Sequence, residues 1–106
     1  MAQTYLLFDF GTDEEAAQQA RRRVDGWRQG FRLGNKLLLK FEREEEGKPH
    51  IRVLVRLDFS DHEKLSHQRW IDRIPGEEHF KDAHPRVIGP GDAEFAATAE
   101  RFEGLD

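Results

Sequence analysis

Glu63 and His67 are the residues of this chain whose types and spacing best suit chemistry. Four positions apart on a helix, a carboxylate and an imidazole meet on one face, where the carboxylate can orient the ring as a general base. A histidine held at a core edge by the same local pair is the plainer expectation, and the balance favours it. His79 and His84 join the pair as a weak alternative site, because the irregular segment around them could lie over a polar ligand. His62 and His67 do not make a zinc pair. Five residues apart, they point about 140° away from each other on a helix. No second ligand cluster accompanies His79 and His84, and there is no cysteine, so no metal is expected. No serine sits in a nucleophile elbow, and Gly89-Pro-Gly-Asp92 is a turn and not a phosphate loop. The expected catalytic set is empty, and no cofactor is implied.

A candidate interaction face is easier to read. Two alternating runs, Lys36 to Glu42 and His50 to Phe59, flank the turn-forming stretch Glu45-Glu-Gly-Lys-Pro49 and read as a β-hairpin. One face of the pair is apolar throughout: Leu37, Leu39, Phe41, Ile51, Val53, Val55, Leu57 and Phe59. The other mixes leucine with charge. Lys36, Leu38, Lys40, Glu42, Arg52, Leu54, Arg56 and Asp58 lie on it, and Tyr5, Leu7 and Asp9 join from an earlier strand if Leu6, Phe8 and Phe10 turn to the core. Three occupants compete for this face: a second copy or protein partner, with the charges as a polar rim; single-stranded nucleic acid, with Tyr5 stacking on a base; or nothing, the charges pairing across strands.

Register separates these alternatives. With Glu44 opposite His50, Glu42 faces Arg52 and Lys36 faces Asp58, two favourable pairs worth roughly 0.2–1 kcal/mol each. That register partners half of the basic groups and weakens the nucleic-acid reading. Association as a homodimer or with a protein partner is the leading expectation. The ligand-binding or enzymatic use of Glu63, His67 and the 75–91 segment comes second, and nucleic acid third.

The elements needed to hold such a face follow from pattern. Thr4 to Phe10 suits a strand. Thr12 and Glu15 have capping-box spacing, and Ala16, Ala20, Val24 and Trp27 form the stripe of an amphipathic helix. Ser60 and Glu63 repeat the box before a second helix that ends near Ile74, where Pro75-Gly76 should stop it. Pro85-Arg-Val-Ile88 is an edge-strand candidate, and Asp92 to about Glu103 makes a last helix striped by Phe95, Ala99 and Phe102. The order β-α-β-β-α-β with an extra C-terminal helix is the ferredoxin-like plan of an α+β domain, with both main helices on one side of an antiparallel sheet.

Composition bounds the rest. At 106 residues the chain makes one domain, residues 1–106. Seventeen basic against 21 acidic residues leave no global field for nucleic acid or anionic membranes. The absence of cysteine argues against a disulfide scaffold, and no apolar run is long enough for a membrane span, so a soluble cytoplasmic protein is expected.

Overall fold

The computed structural model describes residues 2–44, 46, 47 and 49–105. Glu45 and Lys48, two residues of the expected hairpin turn, lie outside the described residues. The elements run β1 (Ala2–Gly11), α1 (Glu14–Gly30), β2 (Leu37–Glu44), β3 (His50–Phe59), α2 (Lys64–Gly76), β4 (Arg86–Ile88) and α3 (Phe95–Glu103). The four strands form one antiparallel sheet in the order β2-β3-β1-β4. The fold is therefore α+β, a four-stranded antiparallel sheet with three helices. No helix among the described residues is long and apolar enough to cross a membrane.

Period-two alternation decides what each side of the sheet buries. Leu6, Phe8, Ile51, Val53, Val55, Leu57, Phe59 and Leu37 meet Ala17, Ala20, Val24 and Trp27 of α1 and Trp70 and Ile74 of α2 in the larger core. Phe80, from the segment after α2, completes it, its ring 4.7 Å from that of Phe8 and 6.1 Å from that of Trp27. Leu6, Phe8 and Phe10 point this way, the preferred of the two facings that alternation allows. The hairpin register is also the expected one, with Glu44 opposite His50 and Glu42 opposite Arg52. Lys36 lies in a short 3-10 turn before β2 and leaves the ladder; its ammonium meets Glu63 at 2.5 Å in place of Asp58.

Helix boundaries differ from the sequence expectation in four places. Asp13, not Thr12, caps α1: its Oδ1 accepts the Ala16 N–H at 3.0 Å. Gly11, at φ +59°, turns the chain out of β1, and Asp13 N–H then donates to the Phe10 carbonyl, which sets the helix start one residue later. The capping box at Ser60 opens a single 3-10 turn, Asp61–Glu63, before α2 begins at Lys64. Pro75 does not stop α2; it sits in the final turn, and the helix runs to Gly76. The last helix starts at Phe95, three residues later than Asp92, which instead closes the turn by accepting the Gly89 N–H at 2.7 Å.

The fourth strand is real but short. It pairs with β1 through Tyr5–Ile88, Leu6–Val87 and Leu7–Arg86. The edge continues for one more bond, Asp9 N–H to the Ala83 carbonyl at 2.7 Å.

Candidate functional site: a cleft beside the last helix

The second side of the sheet can be read in rows across the strands. Leu38, Arg56, Tyr5 and Ile88 make one row, Lys40, Leu54, Leu7 and Arg86 the next, and Glu42, Arg52 and Asp9 the third. Helix α3 covers the first row and part of the second. Phe102 is buried with Tyr5, Leu54 and Ile88, and Leu7, Leu38, Phe95, Ala99 and Leu105 pack around them. The Tyr5 ring lies 5.5 Å from Phe95 and 5.6 Å from Phe102. Burial pushes the Tyr5 hydroxyl pKa up, with the nearby Arg56 charge acting against it.

This corrects the expectation of an open face. Tyr5 and Leu54 are core residues of a second layer, because the apolar stripe of α3 has the leucine-rich rows to pack on. The basic groups become its clasp. Lys40 Nζ donates to the Phe102 carbonyl at 3.0 Å and stands 4.4 Å from the Phe102 ring centroid, and Arg56 stacks on the same ring at 5.3 Å while pairing with Glu103 at 3.5 Å. A dimer through Tyr5, Leu7, Leu38 and Leu54 would require α3 to leave. A charge at Leu54 disrupts this layer and does not report on a free surface.

The third row stays uncovered. Beside α3 it forms a cleft of about 510 Å³ lined by Leu7, Phe8, Asp9, Glu42, Arg52, His84, Arg86 and Arg101. Its guanidiniums come from three elements: Arg52 from β3, Arg86 from β4, Arg101 from α3. Glu42 sits between two of them. Arg101 Nη2 reaches Glu42 Oε1 at 2.5 Å and Arg101 Nε reaches Oε2 at 3.0 Å, while Arg52 Nη1 lies 3.6 Å from the same Oε1. The Arg101 hydrogen bonds hold the Glu42 carboxyl below its ordinary range, and Glu42 in turn raises Arg101. Arg52 also meets Glu44 at 3.3 Å, and Arg86 meets Glu94 at 2.6 Å. At Asp9, burial raises the carboxyl pKa, but the Gly11 N–H and the His50 ring outweigh it and the net shift is downward. Both carboxylates are therefore ionised at neutral pH.

The Glu63 and His67 pair does not form. Glu63 is taken by Lys36 and by the Ser60 N–H and hydroxyl, and its pKa falls to about 2. His67 turns inward, stacks on Phe59 at 5.3 Å and shares a 3.0 Å hydrogen bond between Nε2 and Thr4 Oγ1. Burial lowers its pKa, with Asp58 opposing. His67 is thus a core-edge histidine, but its ring is fixed by Thr4 of β1 and not by the local helix pair that the sequence suggested. His84 lines the arginine cleft, whereas His79 lines a separate cleft of about 290 Å³ with Asp9, Asp13, Glu78 and Asp82. No three His, Asp or Glu side chains among the described residues are grouped to hold a metal ion.

Of the residues singled out in the sequence, the cleft gathers Leu7, Arg52 and His84. Glu42 and Asp9, placed on this face by the sequence but not counted among its interaction residues, and Arg86 and Arg101, not foreseen there, complete it. Their one sequence signal is parity: Asp9, Glu42 and Arg52 share a strand face, but nothing in the sequence places α3 against it. In comparisons with family models, curated proteins and solved structures, the chain shows no significant match.

Proposed function

We propose that this protein works by binding, through the uncovered part of its second sheet face, and that its ligand is anionic. The observation carrying this reading is the convergence of Arg52, Arg86 and Arg101, from three separate elements, on one cleft floored by Leu7. A cavity of about 510 Å³ with an apolar floor and a few fixed polar groups has the usual character of a ligand seat. Guanidinium forks suit carboxylate and phosphate oxygens. The Arg86–Glu94 and Arg52–Glu44 pairs, exposed and worth roughly 0–1 kcal/mol each, do not close the seat, and the bidentate Arg101–Glu42 pair is the one a ligand has to displace.

The reading keeps the sequence's expectation of an interaction module on this face and moves its centre from Tyr5 and Leu54 to Arg52. We take the topology as the split-βαβ, ferredoxin-like plan, supported by two strand–helix–strand units whose first strands, β1 and β3, lie side by side in the middle of the sheet. A cytoplasmic location belongs to the same proposal and rests on the cysteine-free composition.

The test is a titration of labelled protein with acetate and with phosphate, followed by amide shifts. Shifts gathered on Leu7, Asp9, Arg52, Arg86 and Arg101, and lost in Arg52→Gln, are expected. Shifts absent at millimolar anion, or scattered over the other surfaces, would sink the proposal.

A further inference from the structure

Resting on that reading, we infer that the ligand is a phosphate monoester, a doubly charged oxyanion carried on a small organic body. The cleft already holds one carboxylate. Glu42 places a single oxygen, Oε1, within 2.5 Å of Arg101 and 3.6 Å of Arg52, so the two guanidiniums aim at a common point. A singly charged ligand entering there exchanges one carboxylate for another and displaces Glu42 for no gain in charge. The lining carries three guanidiniums and the two carboxylates of Asp9 and Glu42, and Glu44 and Glu94 pair with Arg52 and Arg86 from outside it, so each guanidinium already has a carboxylate that a ligand must replace. Once Glu42 swings away, Arg101 and Arg52 lose a shared partner at one point.

Arg86 supplies the third contact. Its partner Glu94 lies outside the cleft lining, and both side chains are more than half exposed, so the guanidinium is held weakly and can turn inward. A phosphate ester presents close to two negative charges and three acceptor oxygens at one point, enough to engage all three forks, whereas one carboxylate has two oxygens. The cavity exceeds a bare phosphate, and its apolar floor at Leu7 gives the ester's organic body a surface to lie on. Glu42 then acts as a resident competitor that sets the charge a ligand must bring.

Phenyl phosphate and benzoate share an aromatic body and differ in the charge and oxygen count of the head group. Calorimetric titrations of both at pH 7.5 into the intact protein, with amide shifts recorded in parallel, test the inference. Phenyl phosphate should bind at least tenfold more tightly than benzoate. Arg86→Gln, at an exposed position, should weaken phenyl phosphate about tenfold with little effect on benzoate, and Glu42→Gln should tighten benzoate more than phenyl phosphate. Equal affinities, or an Arg86→Gln variant that binds phenyl phosphate unchanged, would overturn the phosphate-ester inference while shifts at Arg52 and Arg101 keep the anion cleft. Failure of both probes to shift the cleft would overturn the cleft reading itself, and the inference with it.

Discussion

The two sides of this sheet are made from the same strands, yet they are closed by different forces. On one side, helices of 17 and 13 residues bring Trp27, Trp70, Val24 and Ile74 against a mainly apolar strand face, with Phe80 filling the gap beside Phe8 and Thr4 hydrogen-bonded to His67. On the other, nine residues of α3 cover rows in which leucine alternates with charge, and ion pairs finish the closure: Arg101 with Glu42, Arg56 with Glu103, Arg86 with Glu94. Burial near 25 cal/mol per Å² is insensitive to salt at this level, whereas exposed pairs are screened within about 8 Å at physiological ionic strength. The first side is thus a fixed core. The second is a smaller layer whose hold on the sheet can be tuned.

The largest effect expected from breaking this contrast is a pair of truncations. Phe8→Ala empties the larger core and should cost about 3–5 kcal/mol, seen as a fall in the urea midpoint of the whole protein. Phe102→Ala should cost no more than about 3 kcal/mol, because α3 can undock and leave the other core standing. Near-UV signals from the tryptophans should survive in the second variant. Equal losses, with the tryptophan signal gone in both, would show that the two layers form a single cooperative unit.

A pH series sharpens the same contrast from the helix side. The folded pKa of His67 lies below the ordinary 6.5 because its ring is buried, so the unfolded chain binds the proton more readily. Stability from this group is complete above pH 6.5 and is lost as pH falls through the folded pKa, with a slope of at most about 1.4 kcal/mol per pH unit. Urea midpoints between pH 7.5 and 5 should fall in the wild type and flatten in His67→Leu. The carboxylates with lowered pKa values, including Glu63 at about 2, add their own loss only at lower pH.

The smallest effect should come from the clasp. Arg101→Gln removes the bidentate hold on Glu42 and should cost less than about 1 kcal/mol. Hydrogen exchange should reveal it as faster exchange across α3 alone, with added salt producing the same change in the wild type. Faster exchange spread equally over α1 and α2 would contradict the division into two layers.

Much of the architecture was legible because strand alternation is a strong and local signal. It gave the two strand faces of the hairpin; opposite-charge pairing then chose the register that sets Glu42 against Arg52, and the burial of two phenylalanines chose the inward turn of Leu6, Phe8 and Phe10. The site was less legible. The Phe95, Ala99 and Phe102 stripe shows that the last helix buries something, but a stripe carries no address, and leucines between charges looked like a surface awaiting a partner. The Glu63–His67 spacing permitted a dyad; Lys36, 27 residues earlier, and Thr4, 63 residues earlier, offered better partners once the chain folded. Non-local competition of this kind leaves no trace in a helical repeat.

The placement of Tyr5 also gives the molecule an optical division of labour. It is the single tyrosine of the chain, and it lies beneath α3 between Phe95 and Phe102, while both tryptophans, Trp27 and Trp70, belong to the opposite layer. Tyrosine absorption and ring signals therefore report the docking of the last helix, and indole emission reports the larger core. Without any label, the protein carries a separate spectroscopic channel for each side of its sheet.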